Sequence, residues 1–136
     1  MKHYNKTLAS FLAVTLGWVG AHRLYLRGIQ DRWGWLHLAC LPLSALLFNL
    51  PHPTVRMFSA TPLIISILLG FLQALVLGLT SDEKWDEKYN PRSEKKSDSR
   101  WPLALLMVLT FMLGATGLIA AIARMMDLIF TDGAFG

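Results

Sequence analysis

Charge is what this sequence has least of. Asp, Glu, Lys and Arg make up 16% of its 136 residues, while 54% are hydrophobic. Soluble domains carry about a quarter of charged residues, so little here can clothe a water-soluble bundle. Cysteine is nearly absent too. Cys40 stands alone, which excludes an intrachain disulfide and any multi-cysteine zinc site. There is no glycine-rich phosphate loop followed by Lys, no HExxH and no GxSxG, the short motifs of nucleotide, zinc and acyl-transfer chemistry. No catalytic residue, metal ligand or cofactor is therefore assigned, and no enzymatic activity is expected.

What is present is apolar and continuous. Residues 8–21, 33–50, 63–79 and 101–123 contain no Asp, Glu, Lys or Arg. A helix needs about 20 apolar residues to cross a ~30 Å hydrocarbon layer. The fourth run meets that, the second and third nearly do, and the first is short. The expectation is an all-α membrane protein: four transmembrane helices in a small bundle, with short loops and one longer charged loop at 80–100. Two helical pairs divide at about residue 50, giving segments 1–50 and 51–136.

The cations set an orientation. Nine of the thirteen Lys and Arg fall in 22–32 and 80–100; Lys2, Lys6, Arg56 and Arg124 lie elsewhere. Short basic loops stay in the cytoplasm. With four crossings, loops 22–32 and 80–100 are then cytoplasmic and both termini lie outside. All five tryptophans, Trp18, Trp33, Trp35, Trp85 and Trp101, lie in or next to these two loops, and Trp favours the headgroup level. Residues 1–21 also have the outline of a signal peptide, but cleavage there would put an Arg-rich loop on the outer side, against the charge rule. The net charge of +4 does not point to nucleic acid, because the basic residues sit at the edges of apolar runs and among acids.

Small residues recur on helical stripes. Ala9, Ala13, Gly17 and Ala21 are four apart, as are Ser66, Gly70, Ala74 and Gly78; Gly114, Gly117 and Ala121 make a shorter series. In lipid such stripes let helix backbones approach closely. They serve a tight bundle within one chain or a homo-oligomer interface, and both readings stand. Polar groups inside the runs are few. His37 with Cys40 reads as a satisfied buried pair, and Gln73 and Asn49 as interhelical hydrogen bonders or interface groups. Arg124 and Asp127 read as a local ion pair.

The long loop holds a tandem tetrad, DEKW then DEKY, at 82–89. Thr80 and Glu83 fit a capping box, Trp85 and Tyr89 share a face at i,i+4, and Pro91 ends the helix. The expectation is an interfacial helix with its aromatics among headgroups, a partner-docking motif being the other reading. RSEKKSDSR, residues 92–100, reads as a mobile tether.

GWVGAHRLYLRG, residues 17–28, reads as a tight turn. Its glycines permit close contact or an unwound helix end, and Arg23 and Arg27 share a face from which guanidinium reaches lipid phosphate. His22 beside Tyr25 is too little for catalysis. Residues 6–28 resemble the first half of the TM-two domain family, a two-span module with a Gly-Ala-His/Asp-Arg-Phe-Tyr-Leu-Gly turn, and the resemblance as a whole covers residues 6 to about 50. Gly20, Ala21, His22, Arg23, Tyr25 and Leu26 match, Leu24 stands where the family has Phe, and Arg27 precedes the glycine, Gly28. The resemblance implies a cytoplasmic turn, with residues 33–50 as the second span, and suggests a bacterial inner membrane. The expected function is a scaffold that binds an unidentified membrane or cytoplasmic protein. Its contacts are His22, Arg23, Tyr25 and Arg27, then Trp85 and Tyr89, with the bilayer and anionic headgroups as further partners. The competing expectation is a small oligomeric channel or transporter.

Overall fold

A computed structural model describes residues 3–135, which are helical with no strand among them. The first helix, α1 (Lys6–Leu16), starts where the Asn5 side chain accepts the Leu8 amide proton at 3.1 Å. A single 3-10 turn over Gly17–Val19 follows. Gly20 then takes left-handed backbone, φ 73°, and donates its N–H to the Gly17 carbonyl. A Cβ on Gly20 would stand 2.8 Å from the Gly34 carbonyl oxygen, so glycine is required twice over. The chain reverses there and runs back as α2 (Ala21–Arg27). The return is complete: the Tyr4 and Tyr25 rings meet edge to face at 5.4 Å, and the Asn5 N–H donates to the Tyr25 hydroxyl.

Three longer helices follow. Asp31 caps α3 (Arg32–Asn49) through the Gly34 N–H. Short α4 (Pro53–Met57) leads into α5 (Thr61–Leu79), and α6 (Asp82–Tyr89) precedes α7 (Trp101–Thr131). Pro62 and Pro102 sit in the first turns of α5 and α7, where a missing N–H costs nothing. Inside α3, Pro42 removes one backbone hydrogen bond.

The small-residue stripes explain the packing. A Cβ on Gly17 would lie 2.8 Å from the Gly70 Cα, and one on Gly70 would lie 3.1 Å from the Ala13 carbonyl oxygen. Thus α1 lies backbone to backbone on α5, with Ala9, Ala13, Ser66 and Ala74 buried alongside. Gly78 accepts the Met107 side chain from α7, while Gly114 and Gly117 take Phe71 and Leu68 from α5. These stripes are consumed within one chain, which favours the bundle reading over an oligomer interface. Ala21 lies beyond the reversal, half-buried, and does not continue the α1 stripe.

Of the four expected crossings, the length and composition of the helices support two. Two are long and apolar enough: Pro53–Leu79, joining α4 and α5, and Trp101–Thr131, each holding an 18-residue stretch of mean hydropathy 2.3. Their outer faces are apolar, and Val76, Phe111, Ile119 and Phe130 are mostly exposed. By contrast, Lys6–Val19 is a short apolar helix, about 20 Å at ~1.5 Å per residue, and it ends at a reversal.

Residues 4–6 do not lie opposite the charged loops. The Tyr4 N–H donates to Asn90 at 2.8 Å, and the Lys6 ammonium sits 2.9 Å from Asp82. Residues 4–6, 22–31 and 80–100 therefore share one end of the bundle. The C-terminal end of α7 lies at the other, where Gly133 approaches Met57 of α4.

Candidate functional site

At the shared end, α6 and the segment after it fold over residues 3–6 as a polar cap. Trp85 is 0% exposed, and its indole N–H donates to the Tyr4 carbonyl at 3.1 Å. Asn90 donates to that carbonyl as well, so its side-chain amide clamps the Tyr4 backbone from both sides. Asp82 and Asp86, one turn apart, catch the following segment. Asp86 accepts from the Ser97 N–H at 2.7 Å, and Asp82 from the Ser99 N–H at 2.8 Å. Residues 92–100 are therefore pinned, not a mobile tether. Nor does a capping box form, because the Thr80 hydroxyl donates back to the Val76 carbonyl and Ser81 is the N-cap.

The electrostatics of the cap centre on one buried cation. Lys6 is 6% exposed and donates to both Asp82 and the Ser99 hydroxyl, at 2.9 and 3.0 Å. Burial pushes the Asp82 pKa up, but hydrogen bonds from Ser99 and Lys6 outweigh it and bring the carboxyl down to about 2. Asp86 is lowered too: bonds from Asn90 and Ser97 overcome the burial that opposes them. Beside the cap, Asp31 accepts from Arg23 Nε at 2.6 Å, and Arg27 Nη1 lies 3.8 Å away. The Arg23 hydrogen bond is the main reason the Asp31 pKa is lowered.

Below this lies a chain of buried polar groups linking α2, α3 and α5. The Trp18 carbonyl can only accept, so the Ser66 hydroxyl donates to it at 2.8 Å. Ser66 then accepts from His37 Nδ1, at 2.7 Å. The bare His37 Nε2 accepts from the Gln73 amide at 3.2 Å, and the Gln73 oxygen accepts from His22 Nε2 and, at 3.5 Å, from Arg23. One end thus fixes the direction of every bond. It leaves His22 Nδ1 as a buried acceptor without a partner. The direction also matters chemically. His37 donates to Ser66 rather than taking its proton, the reverse of general-base activation.

Residues 2–48 match the family model of the TM2 domain. This segment is a TM2 domain. Among curated proteins and among solved structures the chain has no match. With two long apolar helices besides, the chain is a membrane protein.

Within the TM2 domain, the turn motif does three separate jobs. Gly20 reverses the chain, His22 enters the buried polar chain, and Arg23 holds Asp31. Tyr25 packs on Tyr4, and Leu26 is buried. Of the expected contact residues, Arg27 alone is well exposed, with 49% of its side chain open. Arg23 is mostly covered at 17% and already paired. Trp85 is enclosed and cannot face headgroups or a partner, whereas Tyr89, 4.5 Å from it, is half-buried.

Other expectations inside the helices are redrawn. His37 does not pair with Cys40, whose thiol donates to the Leu36 carbonyl, and Asn49 bonds within its own helix to Ala45. Gln73 does join helices, and Arg124 pairs with Asp127 at 2.6 Å. No group of three metal-ligating side chains occurs among the described residues.

The sequence does not signal the roles of three residues central to the site: Asp31, Asp82, and Ser66, which it marks only as a small packing residue. The one hint for Asp31 is its place as the lone acid among the three arginines of its loop.

Proposed function

We propose that this protein is a multi-pass scaffold of the bacterial inner membrane, non-catalytic, whose polar end face is a platform for a protein partner. In this reading α3, α5 and α7 cross the bilayer, and α1 and α2 form a hairpin that enters and leaves on one side. The observation that carries it is the assembly of three distant stretches, 4–6, 22–31 and 80–100, into one cation-rich face locked by Lys6 and Asp82. Moving Lys6 to this end strengthens the charge argument, since Arg56 and Arg124 then stand against the cations of the cap. Positive residues hold a face in the cytoplasm. The C-terminal end of α7 then lies outside.

A scaffold is favoured over a channel because the buried polar chain stops at the Trp18 carbonyl, short of the far side. Photocrosslinkers placed at Arg27 and Glu83 in native membranes test the reading. They should trap a defined protein that crosslinkers at Arg56 and Phe130 do not. Equal capture from both ends, or ion or solute flux through liposomes holding only this protein, would replace it.

A further inference from the structure

A recess of about 190 Å³ opens between α2, α5 and α6, beside the cap. Its polar lining includes Arg23, Arg27, Lys88 and Tyr89, and no Asp or Glu among the described residues lines it. Arg23 is engaged by Asp31 at 2.6 Å. Arg27 is held only at 3.8 Å and is half open to the outside. The Lys88 ammonium lies 5.3 Å from the Tyr89 ring centre, a cation–π contact that leaves its N–H groups able to donate. Two cations with spare donors thus face one small space. The volume is below the ~300 Å³ at which pockets for drug-sized ligands begin, so it suits a headgroup-sized anion.

The opposite wall decides the source of that anion. Leu26, Val76 and Leu77 complete the lining. Val76 lies on the open side of α5, one turn from Leu72 and near Leu79, all of them mostly exposed. A phosphate in the recess would have an apolar strip running from it along the helix, as an acyl chain requires. We propose that this recess binds the phosphate of an anionic phospholipid, with Arg27 and Lys88 as its ligands. The site rests on the membrane placement above, but not on which side is cytoplasmic.

The test uses the full chain in phosphatidylcholine vesicles containing a minority of phosphatidylglycerol, with spin-labelled forms of each lipid reporting the fraction immobilised by protein. The native chain should prefer the phosphatidylglycerol label. Cations near a membrane surface each strengthen the hold on anionic lipid, so Arg27→Gln with Lys88→Gln should cut the preference roughly tenfold or more. Arg27→Lys with Lys88→Arg should keep most of it. Lys95→Gln with Lys96→Gln, which removes the same charge elsewhere on the cap, should leave it intact. Equal loss in that last variant, or no preference in the native chain, overturns the site. Displacement of the label by inorganic phosphate at constant ionic strength overturns the lipid assignment. Extraction of the chain by alkaline carbonate would instead signal failure of the membrane placement itself.

Discussion

Replacing Lys6 by Met removes one buried charge and keeps the length of its stem. Its partner Asp82 has its carboxyl brought to about 2 from the usual 3.8, a difference worth about 2 kcal/mol. Ser99 supplies part of that, through both its N–H and its hydroxyl. Breaking a fully buried pair costs about 3–5 kcal/mol, but the Asp82 side chain keeps 30% of its surface open to water. The two limits place the cost of Lys6→Met at about 2 kcal/mol.

This cost should be local, because Lys6 holds the cap and not the α5–α7 contact. Hydrogen exchange reads it directly. The Ser99 and Tyr4 amides donate into the cap, and their protection should fall roughly 30-fold, while amides of α5 and α7 stay unchanged. The pH dependence has a definite sign. A carboxyl whose folded pKa is depressed stabilises above its unfolded value and loses that as pH falls through the folded one. Ser99 protection, corrected for intrinsic exchange, should be flat above about pH 5 and decline from about pH 4 toward pH 2. Unchanged Ser99 protection in Lys6→Met, or equal loss across all helices, would refute the reasoning.

Other perturbations separate the remaining contacts. Gly17→Val forces a side chain against the Gly70 backbone, which a Cβ would meet at 2.8 Å. It should cost about 1–3 kcal/mol in unfolding from detergent without changing oligomer size. Gln73→Leu strips partners from His22 and His37 at once and should cost about 2–4 kcal/mol, since unpaired buried polar groups cost about 1–3 each. Asn49→Leu, at an exposed site bonded only within its own helix, should change stability by less than about 0.5 kcal/mol. In a Cys40→Ser background, single cysteines at Asn5 and Lys95 should react with an impermeant thiol reagent from one side of the membrane, and one at Phe135 from the other.

The long apolar helices were legible because charge is absent from 63–79 and 101–123, and absence of charge over such lengths has one common cause. The first run is equally uncharged, yet it breaks at Gly17–Gly20. A glycine in apolar sequence serves close packing or a left-handed turn, and here Gly17 does the first and Gly20 the second. Pattern does not distinguish them. The stripes themselves were readable at four-residue spacing; that they face each other was not. The turn motif located Arg23 and His22 but not their partners, since Asp31 is reached by a local turn and Gln73 lies 51 residues from His22. The same holds for Lys6 and Asp82, 76 residues apart. Trp85 was placed at the surface on composition, because an indole in a charged octapeptide gives no sign that another stretch will cover it.

The seat of α1 on α5 bears on how the molecule is built. The groove that receives Ala13 and Gly17 belongs to Gly70, and the lock over it needs Asp82 and Ser99. During synthesis the α1 stripe therefore waits unmatched until Gly70, some fifty residues beyond Gly17, has emerged, and the lock closes only when Ser99 has followed. A fragment stopped near residue 50 keeps that stripe uncovered permanently, and would be expected to pair with whatever thin-sided helix the bilayer offers.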